Sequence, residues 1–292
     1  MQVLSPAFQK PAQDPPETDF IVNSLRHLPM KICILSFLIL LLSSCKTYLE
    51  FTEGIKELDY SFENNKVKRY HTLKTALANA DKVVFLDISF TSEKDPGKLV
   101  QELNANILKF PNLKKLTLLG DHKSGLPENI LKLGSLEFLA INSITIDPNT
   151  DFSRLEKLRF LCLGDCRLEK IPASVLRLTN LQGIDLTGNE IHSIPEEAST
   201  LYDLRTIDLS NNNFSEIPEA LKKCTHLKYM DFINSEGLDK EKLKTFHIGV
   251  NEIKTIGDLN EFRSLQGLSL VWACPREDIA SLRLKYPHLT IK

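Results

Sequence analysis

The chain has 292 residues, of which 42% are hydrophobic and 25% are charged, and its formal net charge is -2. Charge this close to neutral does not favour a protein that binds nucleic acid or an anionic membrane surface electrostatically. The length allows one or two domains. Composition therefore excludes few other classes of protein, and the fold and the function have to be inferred from the order of the residues.

Two segments of different character precede the main body of the chain. Residues 1–29 are rich in proline and polar residues, and we interpret them as a disordered extension or as a false start upstream of Met30. From Met30 the chain reads MKICILSFLILLLSSC, with Lys31 before an apolar run at 32–42. This layout predicts a secretory signal peptide over 30–44, because the run is shorter than the roughly 20 residues that span a bilayer.

The four residues LSSC, which end at Cys45, resemble the lipobox of bacterial lipoproteins. The resemblance implies that the Cys45 thiol carries diacylglycerol, that cleavage makes Cys45 the first mature residue, and that its amino group is acylated. Several acyl chains give a stable membrane anchor, at about 0.8 kcal/mol per buried methylene. Since Lys46 rather than Asp follows, we expect the outer membrane or the cell surface. A non-lipidated signal peptide and a buried helix are the alternatives.

A repeated pattern, L-x-x-L-x-L-x-x-N, occupies most of the remaining chain. A loose match begins at Val83, and further units begin at Leu113, Leu136, Leu158, Leu181, Leu204, Leu227, Leu243 and Leu265. The intervals from Leu113 to Leu227 are 22 or 23 residues, and the last two are 16 and 22. Leu-Pro or Ile-Pro pairs follow at 126, 171, 194 and 217. Over residues 83–275 the chain resembles the 23-residue class of leucine-rich repeats, as in plant intracellular Ras-group proteins.

The resemblance implies an α/β leucine-rich-repeat solenoid, with a curved parallel sheet on its concave face and short helices or loops on its convex face. We expect about eight or nine repeats, and the leucines of each strand point inward because strand residues alternate between the two faces. The repeats must stack, since one unit buries too little apolar surface to fold alone. Asparagine at the ninth position, as at 189, 212 and 251, is expected to satisfy buried backbone groups. A tether (45–69), a cap helix (70–82) and a C-terminal cap (276–292) complete the predicted domains.

The interval between Leu227 and Leu243 breaks this regularity. Its sequence INSEGLDKEK is short and has no Ile-Pro pair. We therefore expect this unit to lack a full convex segment, so that the chain returns almost at once to the next strand.

Catalytic motifs are missing from the sequence. It contains no G-x-G-x-x-G, G-x-x-x-x-G-K-[ST], H-E-x-x-H, G-x-S-x-G or C-x-x-C pattern. We predict no enzyme, no cofactor and no metal, but a membrane-anchored scaffold that binds another protein or a cell-surface macromolecule, and no nucleic acid. Two alternatives are a purely architectural envelope lipoprotein and an enzyme with an atypical site in the irregular segment 232–243.

The side chains that point outward from the predicted strands are the candidate binding residues. These are aromatic at the third position and polar at the fifth: Phe138, Phe160, Tyr229, Asp185, Asp208, Asp231 and His247. Exposed aromatics are over-represented among binding anchors, and the small residues Gly183 and Thr206 between them leave room for a ligand. In the alternative reading, Phe138 and Phe160 pack on each other across adjacent strands. The aspartates have two readings as well, a cation site or simple solvation.

The lipid anchor has a direct test. Replacing Cys45 with Ala removes the only thiol that the lipobox pattern presents for acylation, so lipid labelling and signal cleavage should both stop. Mass spectrometry of the purified chain, after growth with a labelled fatty acid, measures both. Cys33→Ala is the control and should leave labelling unchanged. Lipid incorporation into the Cys45→Ala protein would contradict the assignment.

Overall fold

The computed structural model describes residues 68–91, 94–234, 251–254, 256–270 and 273–292. Several predictions lie outside these residues: the extension 1–29, the signal peptide, Cys45, the tether up to residue 67, His247, and residues 235–243 of the irregular segment. Contacts along the chain separate Met1–Lys46 from Thr47–Lys292, and every described residue belongs to the second unit. No helix in these ranges has the length and apolar character to cross a membrane.

An open sheet of ten parallel strands, ordered as they occur in the chain, forms one side of this unit. The strands are β1 (Arg69–Tyr70), β2 (Phe85–Ser89), β3 (Lys115–Leu119), β4 (Phe138–Asn142), β5 (Phe160–Gly164), β6 (Gly183–Asp185), β7 (Thr206–Asp208), β8 (Tyr229–Asp231), β9 (Gly267–Ser269) and β10 (Thr290–Ile291). Each pairs with its sequence neighbour, one per repeat from β2 to β9. The fold is therefore a curved leucine-rich-repeat solenoid, as predicted.

Short helical segments form the opposite, convex side. The α-helices are α1 (Leu73–Leu77), α2 (Pro96–Asn106) and α3 (Arg276–Lys285). The 3-10 helices are Ala80–Lys82, Ile107–Lys109, Glu128–Lys132, Val175–Arg177, Glu196–Thr200, Glu219–Lys223 and Leu259–Glu261. Pro127, Pro195 and Pro218 stand immediately before three of them, where a fixed φ favours a helix start and no backbone donor is lost.

The unit that begins at Leu136 has no helix between β4 and β5. It also lacks a Leu-Pro or Ile-Pro pair. The next unit supports its convex segment instead: Ser174 Oγ accepts a hydrogen bond from the Phe152 amide at 3.0 Å and donates to the Thr150 carbonyl at 2.8 Å. Phe152 is fully buried in the core. A packed aromatic side chain and a neighbouring hydroxyl thus hold a segment whose local sequence does not form a helix.

Buried asparagines connect successive units from inside the core. Asn189 Nδ2 donates to the carbonyls of Leu163 and Leu186, both at 2.7 Å. Its Oδ1 accepts from the amides of Cys166 and Leu168, both at 3.0 Å. Asn212 repeats the arrangement one unit later, donating to Leu186 and Leu209 and accepting from Ile191. Each side-chain amide forms hydrogen bonds with backbone groups at the ends of the strands and in the turns, which have no partner in the sheet.

Asn251 makes the same contacts for the unit that begins at Leu227. Its Nδ2 donates to the carbonyls of Leu209 and Phe232, at 2.9 and 3.3 Å, and its Oδ1 accepts from the Phe214 amide at 3.0 Å. Asn234 fixes it in place, because the two residues exchange hydrogen bonds of 2.7 and 2.9 Å. Asn251 therefore holds the ninth position of this unit, the position at which the sequence spacing predicts Ser235.

Two of the sequence predictions are wrong at this place. Strand β8 pairs directly with β9, with Tyr229 opposite Gly267, so the predicted unit at Leu243 adds no strand between them. The Leu227 unit also has a convex segment, which contains the 3-10 helix Leu259–Glu261. Residues 235–250 are an insertion between the eighth and ninth positions. The sequence LKTFHIGVN matched the repeat pattern because it ends in Asn251, but Asn251 belongs to the preceding unit.

The last strand of the sheet is protected by its own cap. Arg283 of α3 donates from Nε to the Ile291 carbonyl at 2.7 Å, which satisfies an acceptor on strand β10. Tyr286 is fully buried, and its hydroxyl donates to Asp258 Oδ1 at 3.2 Å. At the other end α1 precedes β2, and Thr72 Oγ1 accepts from the Thr75 amide to begin that helix. A covered edge is less able to pair with another chain.

The buried ninth-position asparagines, Asn189, Asn212 and Asn251, which we call the asparagine ladder, give a prediction about stability. Asn189→Ala should lower the free energy of unfolding by about 3 kcal/mol, because it leaves several buried backbone donors and acceptors unpaired. Urea denaturation followed by circular dichroism measures the loss. Asn180→Ala is the matched control, since Asn180 is exposed and its side chain makes one bond, to the Glu156 carbonyl. A loss of equal size in both variants would contradict the role given to the ladder.

Candidate binding face

The open side of the sheet displays two rows of side chains, which together we call the binding face. The third-position row runs Phe85, Lys115, Phe138, Phe160, Gly183, Thr206, Tyr229 and Gly267. The fifth-position row runs Asp87, Thr117, Ala140, Cys162, Asp185, Asp208, Asp231 and Ser269. Neighbours within a row stand about 4.8 Å apart, the spacing between strands. Six of the seven nominated binding residues lie in these rows.

An apolar cluster occupies the β4 and β5 part of this face. Phe138, Ala140, Phe160 and Cys162 form a group separate from the main core, because the sheet lies between the two. The two phenylalanine rings are tilted by 37° with their centroids 6.3 Å apart. Phe138 is 7% exposed and Phe160 is 5% exposed. Their contacts are thus those of the cross-strand packing alternative, and a role as binding anchors stays a prediction.

Glycine explains why the third-position aromatics lie so low on the sheet. A Cβ atom on Gly183 would stand 2.8 Å from Phe160 Cδ1, and one on Gly267 would stand 2.8 Å from Tyr229 Cδ1. Each ring therefore rests where the next strand has no side chain. Sequence reasoning interpreted Gly183 as free space for a ligand, but it accommodates Phe160. Tyr229 remains half-buried, and its hydroxyl donates to Gln266 Oε1 at 3.1 Å.

Three carboxylates follow the apolar cluster in the fifth-position row. Asp185 is opposite Asp208 and Asp208 is opposite Asp231, so the three side chains are in register on β6, β7 and β8. Asp185 Oδ1 accepts from the Thr187 amide and Asp208 Oδ1 from the Ser210 amide, each at 2.9 Å. These short turns hold one oxygen of the Asp185 carboxylate and one of the Asp208 carboxylate. We call the three residues the acidic row.

Asp208, the central member of the acidic row, is the more perturbed of the two aspartates at β6 and β7. Asp208 is 4% exposed, whereas Asp185 and Asp231 are half-buried. Burial raises the pKa of Asp208 well above its ordinary value, and the charges of Asp185 and Asp231 raise it further. Burial also raises the pKa of Asp185. Among the described residues, neither Asp185 nor Asp208 forms an ion pair, so their charges are uncompensated.

A second polar cluster, which sequence reasoning missed, lies where the strands end. Asp165 Oδ2 receives hydrogen bonds from His122 Nε2 and Ser143 Oγ, both at 2.9 Å. The three residues come from three successive units, and all have left-handed backbones with φ of 61°, 55° and 52°. A turn residue at the eighth position was the signal available, since Ser143 and Asp165 both occupy it. The imidazole and the hydroxyl contact the same carboxylate oxygen, an arrangement that does not activate Ser143 as a nucleophile.

Metal ligation has no support in the part of the chain that the structure describes. It contains no group of three or more histidine, cysteine, aspartate or glutamate side chains that could hold an ion. The buried cysteines Cys166 and Cys224 are free thiols. Burial raises the pKa of the Cys224 thiol to about 11, and that of Cys166 is also raised well above the ordinary value by burial. Such thiols are protonated at neutral pH and unreactive.

Comparison with known proteins gives two likenesses. Residues 179–232, which contain the units of Leu181 and Leu204, match the model of the family described as Leucine rich repeat. No curated protein matches the chain. Among solved structures, an internalin from Listeria monocytogenes is similar, with 15% identity and a TM-score of 0.47 over 77% of this chain. The match covers 64% of the internalin chain, less than two thirds of its length.

The acidic row generates a prediction about pH. Because the folded-state pKa of Asp208 is raised, the native protein binds more protons than the unfolded chain between the ordinary value of 3.8 and the raised value. The stability of the native protein therefore falls as pH rises through that interval. Asp208→Asn removes this loss and keeps the acceptor for the Ser210 amide. The variant should melt at a higher temperature than the native protein at about pH 7, and the difference should vanish near pH 4.

Melting curves measured across this pH range test the assignment. Asp203→Asn, which changes an exposed aspartate immediately before the repeat that begins at Leu204, is the control and should show no such difference. A stabilisation of Asp208→Asn that is the same at both pH values would point to a cause other than carboxylate repulsion.

Proposed function

We propose that this protein is a binding scaffold that is held at a bacterial envelope by lipid on Cys45 and engages a partner protein through its binding face. The observation that carries the proposal is the acidic row beside an apolar cluster on one open sheet. Stacked repeats bury their leucines and leave third- and fifth-position side chains outside the core. Those side chains are therefore free to serve recognition.

Two further considerations support a protein as the partner. The binding face combines aromatic, aliphatic and charged side chains, which is the composition of protein interfaces. It also extends over eight strands from β2 to β9, which at about 4.8 Å per strand is long enough for a standard-sized interface. We assign no catalytic role, because neither polar cluster holds an activated nucleophile.

The anchor rests on the sequence alone. The lipobox at 42–45 and the short apolar run before it support lipidation, and Lys46 supports the outer membrane or cell surface. A lipid at the start of a polar tether, residues 45–69, would leave the repeats free to meet a partner. A purely architectural lipoprotein is the alternative, and it would show no saturable contact through the sheet.

Site-specific photocrosslinking in cells tests the proposal. A benzophenone amino acid at Thr117 or at Tyr229 would stand on the binding face, and one at Glu197 would stand exposed on the convex side. We expect a crosslinked product of one defined mass from the two binding-face positions and not from Glu197. Expression of the chain without the benzophenone residue should compete and reduce the product.

Equal products from both sides, or a product from Glu197 alone, would contradict a role for the binding face. Products from no position, in cells where the chain reaches the membrane, would favour the architectural alternative.

A further inference from the structure

We infer that the partner protein lays an extended acidic segment, rich in aspartate or glutamate, along a row of hydrogen-bond donors at one border of the binding face. The row occupies the second position of five successive units, and we call it the donor row: Arg159, Gln182, Arg205, Lys228 and Gln266. This inference rests on the proposed function and specifies the chemistry of the partner. It follows from the adjacency, the hydrogen bonding and the charge of these side chains.

Backbone hydrogen bonds place the members of the donor row side by side. Each member immediately precedes one of the strands β5 to β9. The amide of Gln182 donates to the Arg159 carbonyl at 2.8 Å, and that of Arg205 to the Gln182 carbonyl at 2.8 Å. The amides of Lys228 and Gln266 continue the series at 2.7 and 2.8 Å. With a separation of about 4.8 Å between strands, the row is roughly 19 Å long.

Hydrogen bonds already engage the two side-chain acceptors of the row. Arg159 Nη2 donates to Gln182 Oε1 at 3.0 Å, and the Tyr229 hydroxyl donates to Gln266 Oε1 at 3.1 Å. Each glutamine amide is thereby held by its oxygen, and its NH2 group is left to donate. Arginine and lysine side chains carry donors only. The donor row therefore presents N–H groups along its whole length, and a ligand for it has to supply acceptors.

The positive charge of the donor row is not compensated as it is in the two preceding units. There the second position is neutralised, because Lys114 and Glu137 pair at 3.1 Å. Among the described residues, Arg159, Arg205 and Lys228 form no ion pair, although all three are half-buried. Partly desolvated cations on neighbouring strands repel one another. Carboxylates placed over them would relieve this repulsion and form charge-assisted hydrogen bonds.

Carboxylates on both sides of the donor row restrict the shape of the ligand. Glu156 and Asp203 precede members of the row by three and two residues, and both are exposed. Asp185 and Asp208 follow members of the row by three residues, which is roughly 10 Å along a strand. A broad anionic surface, such as a bilayer or a nucleic acid duplex, would meet these carboxylates as well and be repelled. A single peptide segment is narrow enough to follow the row alone.

The spacing of the cations matches an extended segment. Arg159 and Lys228 are three strand separations apart, roughly 14 Å. Alternate residues of an extended chain share one side and repeat every 7 Å or so, so that carboxylates at i, i+2 and i+4 also cover roughly 14 Å. The first and the last would stand over Arg159 and Lys228. The middle one would stand between Gln182 and Arg205, where an amide NH2 group and a guanidinium can both donate to it.

A labelled peptide tests the inference with the full chain. The probe is fluorescein-labelled GSETETESG, and fluorescence anisotropy at low ionic strength, where screening is weak, measures its Kd. We expect the double variant Arg205→Gln, Lys228→Gln to bind it at least about tenfold more weakly. The control Lys170→Gln, Arg177→Gln removes the same charge from exposed positions on the convex side, and should bind within about twofold of the native protein. Circular dichroism verifies the fold of each variant.

A single substitution keeps the test independent of misfolding. Gln182→Glu places a carboxylate between Arg159 and Arg205, much as Glu137 lies beside Lys114. It should weaken binding of the probe at least about fivefold and raise the melting temperature, because the row is then compensated from within. Weaker binding by a more stable protein cannot result from unfolding. An unchanged Kd for Gln182→Glu would contradict the inference.

Further ligands separate charge, arrangement and chemical class. The peptide GSQTQTQSG keeps the shape and removes the charge, and should bind at least about tenfold more weakly than the probe. The peptide GSEEETTSG keeps the charge but places its glutamates on both sides of an extended chain, and should also bind more weakly. Equal binding of the three peptides, no binding of the probe, or equal binding by the double variant would overturn the inference. Stronger displacement of the probe by polyphosphate or by dihexanoyl phosphatidylglycerol than by unlabelled probe, at equal charge, would overturn it in favour of a phosphate polymer or a lipid headgroup.

The outcome can be told apart from that of the proposed function. If the binding-face positions crosslink a partner in cells while the acidic peptide fails, the inference about the donor row falls and the scaffold proposal stands. If those positions crosslink nothing, the scaffold proposal falls whatever the peptide does.

Discussion

The side-chain amide of the ninth residue is the contact on which this solenoid depends. Asn189, Asn212 and Asn251 each reach across two units and bind backbone atoms that the turn leaves unpaired. Buried carbonyl and amide groups without partners would cost more than the repeat gains from one additional leucine in the core. The asparagine therefore determines where a strand must end. Asn251 fills this position for the unit of β8, whose neighbour in the sheet is β9.

The same requirement accounts for the insertion of residues 235–250. A unit can accept additional chain between its eighth and ninth positions, provided that an asparagine returns to the ladder. Asn234 and Asn251 hold the two ends of the insertion together through reciprocal hydrogen bonds. The ladder thus separates the requirements of the core from the length of the turn. A repeat can gain a long segment without disturbing the pairing of the next strand.

The end of each strand shows what this turn demands of the backbone. Ser143, Asp165, Gly188 and Asn211 all adopt a left-handed conformation at the eighth position. Their amides donate to the next unit, as Asp165 does to the Thr187 carbonyl at 2.8 Å. Only Gly188 takes this conformation without a steric cost. Asp165 offsets this steric cost through its hydrogen bonds to His122 and Ser143. The polar cluster therefore lies where successive units repeat the left-handed backbone conformation.

On the binding face, small differences between units decide what is displayed. The third position holds a ring at β5 and β8 and a glycine on the strand that follows each of them, so the rings fold down onto the sheet. The fifth position holds carboxylates on three adjacent strands, and nothing in the core requires them there. Burial raises the pKa of Asp208, and the like charges of its neighbours raise it further. The acidic row lowers the stability of the protein and lies at positions that the packing of the core does not constrain. Such residues are expected where side chains are selected to bind a partner.

The sequence by itself determined the solenoid, its inward leucines, and the identity of the residues on the binding face. It could do so because these follow from a period of 22 or 23 residues and from the alternation of a strand. It also determined that Asp185, Asp208 and Asp231 share one row, since equal positions in successive units stack. The tertiary structure alone decided the rest. Which unit Asn251 belongs to depends on the backbone atoms that it binds, those of Leu209, Phe214 and Phe232. Whether Phe160 is exposed depends on Gly183, which is a neighbour only across the sheet. The His122–Ser143–Asp165 cluster joins three units, and no local pattern encodes a contact over such separations.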